Sequence, residues 1–403
     1  MSDKFVQIHF LTSYPAALLN RDDAGFAKRI PFGGGERLRI SSQCLKRHWR
    51  VFDGAIGLKA LNVPGSIRSR RTFEECIRKP LLATGCADST VKPVVDALIV
   101  EILGKSKKSA AKKGKEEVAS VEATTSQLTV LGKPEVDYLF SVAQGVCQKA
   151  VSGESAAKEV KDRIKEIKKN LSAIKMAAGL DAALFGRMVT SDILARGDAA
   201  VHVAHALTVH EESCESDYFA AIDDLLDADN EEKALKSGHI NSVELTSGLY
   251  YGYVVVDVPL LISNLEGCKA TEWRSADKEL AAKVVKQLVH LVAKVSPGAK
   301  LGSTAPYSYA SMVMVESGNE QPRTLANAFL KPVKQSPDLL ENSYVALTNY
   351  MDQMQNMYGN SNERAVSAIG NVALFKPVID KDKVGISLDS AADWIASKVR
   401  SHA

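Results

Sequence analysis

Residues 249–258 read LYYGYVVVDV. Aromatic and β-branched side chains pack well on a pleated surface, so a run this rich in Tyr and Val predicts a central strand. A second extended segment opens the chain: in FVQIHFL, Val6, Ile8 and Phe10 share one side and Gln7 and His9 the other. SMVMVE (311–316) predicts a third strand, and DKELAAKVVKQLVHLVAKV (277–295) a helix before it.

The order strand–helix–strand, then strand–helix–strand, fits an α+β, ferredoxin-like sheet with helices on one face. Such sheets often carry RNA, although YGYVVV alone reads equally as an ordinary core strand. NRDDAGFAKRIPFGGG (20–35) reads as a long loop and RLRI (37–40) as a short strand. Ser41 or Ser42 then caps a helix with Leu45, Trp49 and Phe52 on its core side and Gln43, Lys46 and Arg50 on another. In EVKDRIKEIKKNLSAIKMAAGLD (159–181), Val160, Ile164, Ile167, Leu171 and Ile174 step by four and three, which predicts one amphipathic helix. Residues 104–126 are lysine-rich and low in complexity, the composition of a mobile insertion. AAVHVAHALTVH (199–210) reads as a helix or a buried strand.

With 403 residues the chain has material for two or three structural units. No apolar run is long enough to span a bilayer, and MSDKFVQIHF lacks the layout of a signal peptide, so a cytoplasmic location is expected. Six cysteines without a C-x-x-C pair read as free thiols. The net charge of +3 hides a segregation. Residues 1–80 carry 15 Lys/Arg against 7 Asp/Glu, whereas residues 211–232 carry ten acids and no Lys or Arg. A basic start suits a polyanion, because each neutralised phosphate releases counterions.

The glycine run at 33–35 fits no nucleotide fingerprint: there is no G-x-x-x-x-G-K-[ST], and Leu38 breaks G-x-G-x-x-G. The glycines then form a turn or admit a close backbone approach. The helix start after Ser42 is a better anion site, since its free N–H groups and dipole favour negative charge. Arg21, Lys28, Arg37 and Arg39 lie just upstream. So many cations suit a row of phosphates rather than one nucleotide. His202, His205, His210 and Cys214 match no common zinc spacing and read as packed or surface side chains. Asp22 and Asp23 read as turn residues or, alternatively, as carboxylates recruiting a metal.

Several short stretches resemble, in order, CasC, the backbone-subunit family of the type I-E CRISPR Cascade complex. They are NRDD, FGG and RISSQ-LKR, then GRM-TS (186–191), AHA-T-H (204–210), A-DDL (221–225), SG-Y (247–250), PGAK (297–300), MVMV (312–315) and LANAF (325–329). The resemblance implies a modified RNA-recognition palm with a helical fingers insertion and a protruding thumb. It divides the chain into palm (1–60), fingers (61–185), palm (186–208), thumb (209–247), palm (248–360) and a C-terminal segment (361–403). It implies copies stacked head to tail on a guide RNA (crRNA), with target DNA and other Cascade subunits as partners, and no cofactor, metal or catalytic group. Arg21, Lys28, Arg37, Ser41, Gln43, Lys46, Arg47 and Arg50 would contact the RNA. Met188 would prop guide bases apart and Phe219 would wedge at a kink, with Ala220 where the family has threonine. Lys161, Lys165, Lys168 and Lys169 would touch target DNA. The acidic span would meet a neighbour's basic palm through Asp223 and Asp224. The lysine-rich insertion and Glu36 depart from the family pattern.

Two other classes stay open from the sequence. One is a metal-dependent endoribonuclease on the same fold, cutting with Asp22 or Asp23. The other is a small-molecule enzyme using the glycine loop.

Overall fold

The computed structural model describes residues 3–103, 123–125, 127–174, 176–187, 197–220 and 240–401. Most of the lysine-rich insertion, most of the acidic span and Met188 therefore lie outside the described residues. From the N-terminus run β1 (Phe5–Ala17), β2 (Arg29–Phe32), β3 (Gly35–Ile40) and α1 (Ser42–Val51). Then come β4 (Ser66–Ser69), α2 (Asp88–Leu103), β5 (Thr129–Gly132), α3 (Lys133–Lys149), α4 (Gly153–Asp162) and α5 (Ile164–Ala173). The chain continues through β6 (Val201–Val203), β7 (Ala206–Thr208), β8 (Cys214–Ala220), β9 (Ile240–Asp257) and α6 (Glu279–Lys294). It closes with β10 (Met312–Gly318), α7 (Leu339–Tyr358), β11 (Glu363–Ala368) and α8 (Leu388–Arg400).

The chain forms two compact units, one of residues 1–60, 202–258 and 281–403 and one of residues 61–201 and 259–280. Residues 259–280, within the span 248–360 expected of the palm, thus group with the second unit.

The first unit is built on an antiparallel sheet of order β11-β10-β1-β9-β7-β3-β2, with β6 and β8 also pairing to β9. β9 is the strand that LYYGYVVVDV predicts, and it runs for 18 residues. Its later part pairs with β1 and its first part, Ile240–Thr246, with β8. Gly252 faces Phe10 in register, and a Cβ there would meet the Phe10 ring at 2.0 Å, so the glycine within the strand makes room for the aromatic opposite.

Around β1 and the later part of β9 both faces of the sheet are covered. Val6, Ile8 and Phe10 are buried on one. On the other, Tyr251 and Tyr253 are buried in a cluster with Leu325, Phe329, Tyr344 and Met351. The tyrosines of YGYVVV are therefore core, and no base can stack on them. Gln7 and His9, the polar side of β1, are buried too and join a network (His9 Nδ1 to the Tyr251 hydroxyl 2.8 Å, Gln7 Nε2 to Glu316 3.3 Å, Arg364 Nε to Glu316 2.7 Å).

Two local expectations change, and one open alternative resolves to strand. The stretch 20–35 contains β2, which pairs with β3 as a hairpin. AAVHVAHALTVH forms two short strands, β6 and β7. The single amphipathic helix over 159–181 divides at Arg163 into α4 and α5, where Arg163 Nε bonds Glu166 at 3.2 Å. Val160, Ile167 and Leu171 still share the second unit's core with Leu98, Leu139 and Val146. All six cysteines are free.

Candidate nucleic-acid interface

The β2–β3 hairpin turns at Gly33 and Gly34, whose φ values of +63° and +86° are those a two-residue turn of this hand requires. A Cβ on Gly33 would lie 1.6 Å from the Leu330 carbonyl oxygen. The glycine run is a turn pressed against backbone, not a phosphate cradle.

Upstream, the loop at 20–28 closes on itself. Asp22 Oδ1 accepts from Ala24 N (3.0 Å) and Phe26 N (2.9 Å), and Lys28 N donates to Asn20 O (2.9 Å). Asn20 Oδ1 in turn accepts from Ser41 N at 2.9 Å, so the loop is pinned to the start of α1. Arg21 stands exposed on it and Lys28 half-buried at its end. Asp22 spends one carboxylate oxygen on the turn, and among the described residues no group of three His, Cys, Asp or Glu could hold a metal ion.

Ser41 is the N-cap of α1: its hydroxyl accepts from Cys44 N at 3.3 Å. It is buried, so it holds the helix start rather than offering a surface hydroxyl. Leu45 and Trp49 anchor α1 in the core. This leaves Gln43 and Arg47 exposed and Lys46 and Arg50 half-buried.

Arg37 corrects the sequence reading more sharply. Its side chain is 0% exposed and donates to Thr208 O (3.1 Å) and Phe329 O (3.0 Å), with the guanidinium 5.9 Å from the Phe32 ring centre. Arg37 shares its face of β3 with Arg39, but its guanidinium is taken up by the Thr208 and Phe329 carbonyls, which leaves it no surface to meet RNA. Arg29 is neutralised by Glu212 and Glu244, which it bonds together.

What remains cationic converges. Burial lowers the His205 imidazole, and the charges of Arg39, Lys28 and Lys46 lower it further. Burial pushes the Cys44 thiol up to about 11, against the pull of Lys28 and Arg47. Lys28 from the loop, Arg39 from β3 and Lys46 and Arg47 from α1 therefore share one neighbourhood. Arg39 Nη1 lies 3.0 Å from His205 Nδ1. Sequence reasoning had no signal for that pair, because 166 residues separate the two. His210, by contrast, is a satisfied core histidine: Nδ1 donates to Glu211 O (2.6 Å) and Nε2 accepts from Leu249 N (3.2 Å).

Lys161 on α4 and Lys165, Lys168 and Lys169 on α5 are all exposed in the second unit. Phe219 lies in β8, opposite Asn241 of β9; its side chain is outside what is described, as are Met188, Asp223 and Asp224. Among the described residues no helix is long and apolar enough to cross a membrane.

The sequence profile of the CT1975-like protein family matches residues 6–394. No curated protein sequence matches the chain. A solved chain of a CRISPR RNA-guided surveillance complex, in a pre-nicking state, superposes with a TM-score of 0.75 at 25% identity, covering 98% of this chain and 100% of that one. A chain of another CRISPR RNA-guided surveillance complex shares the fold at a TM-score of 0.65 and 23% identity, covering 98% and 99%.

Proposed function

The chain belongs to the CT1975-like protein family, and from that premise we propose that it is a non-catalytic RNA-binding backbone subunit of a crRNA-guided surveillance complex, of the type I-E CasC kind. Copies stack head to tail along the guide RNA in the cytoplasm, beside other Cascade subunits, and present the guide for pairing with target DNA. The sheet order β10-β1-β9-β7, with α1 between β1 and β7 and α6 between β9 and β10, supports a ferredoxin-like palm. The β8–β9 hairpin is the root of the thumb, and the second unit, with its exposed lysines, is the fingers.

The observation that carries this reading is the convergence of Lys28, Arg39, Lys46 and Arg47 beside the start of α1. Cations from a loop, a strand and a helix give a track wider than one phosphate. Arg21, Gln43 and Arg50 extend it, while Ser41 and Arg37 hold its scaffold. Phosphate contacts position a strand without reading its bases. Replacing Lys46 or Arg47 with Ala is therefore expected to weaken unrelated guide sequences equally, as filter binding would measure; a loss confined to one sequence contradicts the role. For the non-catalytic part, incubation with complementary RNA and magnesium is expected to leave the RNA whole. Cuts abolished by Asp22→Asn contradict it.

A further inference from the structure

Arg39 lies on β3, and His205 lies just before the adjoining strand β7. β3 pairs with β7 through Arg39↔Leu207 and Ile40↔Ala206, and His205 directly precedes β7. A guanidinium has donors only, so at 3.0 Å His205 Nδ1 is the acceptor and the neutral ring carries its proton on Nε2. The charges bearing on the ring are Arg39 from β3, Lys28 from the loop before β2 and Lys46 from α1, all of them cations. His205 is itself exposed. An exposed imidazole that presents an acceptor nitrogen to Arg39, with Lys28 and Lys46 also acting on it, is a place to which a phosphate would be drawn.

We propose that Arg39 and His205 form a phosphate seat that carries the RNA track from α1 across β3 to the start of β7, and that His205 takes up a proton when the phosphodiester arrives. The proposal rests on the RNA-binding reading above. A phosphate between the two side chains replaces the direct bond: Arg39 turns its N–H groups to the phosphate oxygens. Nδ1 loses its donor and accepts a proton from solvent, so both ring nitrogens become donors. No covalent bond changes; one proton leaves the buffer for each seat filled. Burial and the three cations hold the free imidazole below its ordinary range, and the incoming negative charge raises it. Binding that takes up a proton strengthens as pH falls, by at most about tenfold per pH unit for one group.

The test is fluorescence anisotropy of a labelled single-stranded RNA at pH 6, 7 and 8 and constant ionic strength. It compares the wild type with His205→Gln, His205→Lys and Lys46→Ala. The wild type is expected to bind several-fold more weakly at pH 8 than at pH 6. His205→Gln should lose most of that slope and match the wild type near pH 8. His205→Lys, which stays charged, should bind tightly at all three. A slope that survives in His205→Gln, or a loss of affinity equal at every pH, overturns the seat. If Lys46→Ala is weak at every pH while the His205 variants leave the slope alone, the seat fails and the track stands. If the wild type does not bind RNA, both fail.

Discussion

The guanidinium of Arg29 is bonded to the carboxylate of Glu244, 215 residues further along the chain. The same carboxylate accepts from Ala27 N, and Arg29 also holds Glu212. Arg29 begins β2, at the end of the loop that carries Arg21 and Lys28, while Glu244 lies where β9 pairs with β8. The basic loop and the root of the β8–β9 hairpin are one bonded assembly. Glu244→Gln is expected to cost about 2 kcal/mol of stability, seen in urea titrations at pH 7. Desolvation alone would raise the Glu244 carboxyl, but its bonds from Arg29 and Ala27 N bring it below the ordinary range. A carboxyl depressed in the folded state stabilises above its unfolded pKa and loses that contribution as pH falls through the folded value. The cost of Glu244→Gln should therefore shrink at pH values below the ordinary carboxylate range.

The two turn glycines are expected to differ. Gly34 has open space around it, so Gly34→Ala meets only the left-handed backbone and costs about 1 kcal/mol. Gly33→Ala adds a collision with the Leu330 carbonyl and should cost about 3 kcal/mol. Thermal melts of the two variants, taken together, check the order.

Arg37 and Lys46 are expected to separate scaffold from contact. Arg37→Ala leaves two buried carbonyls unpaired and should lower stability by about 3 kcal/mol. Among molecules that remain folded, the salt dependence of RNA binding should be unchanged. Lys46→Ala should leave the melting temperature near wild type and reduce the slope of log K against log salt by about 1.

Burial lowers His9 from its ordinary 6.5 to about 4, although Glu316 opposes the shift. Between those values the unfolded chain binds a proton that the folded chain refuses, so stability rises with pH. From pH 7 to pH 5 the His9 contribution should fall by about 2 kcal/mol. His9→Gln should lose correspondingly less over the same interval in chemical denaturation, the remaining loss coming from other histidines such as His210 and His290 that are also lowered by burial.

The strands β1, β9 and β10 and helix α6 were legible because each buries a long regular pattern of side chains. The core side of α1 was legible for the same reason. β2 was not, since Pro31 and the glycines around it carry turn chemistry that outweighs four residues of extended chain. The burial of Arg37 was not, because its partners Thr208 and Phe329 are 171 and 292 residues away and a charge in sequence reads as surface. Local pattern likewise cannot bring His205 to Arg39. The break at Arg163 escaped because the apolar spacing continues across it while the hydrogen-bonded helix does not.

The central claim is that this chain grips the backbone of a guide RNA. Its most direct test is the ratio of absorbance at 260 and 280 nm after co-expression with a guide transcript, purification and nuclease treatment. The account predicts a ratio dominated by protected RNA in the wild type, which falls to that of bare protein when Lys28, Lys46 and Arg47 are all changed to Ala. A wild-type protein that emerges folded and free of nucleic acid would contradict it.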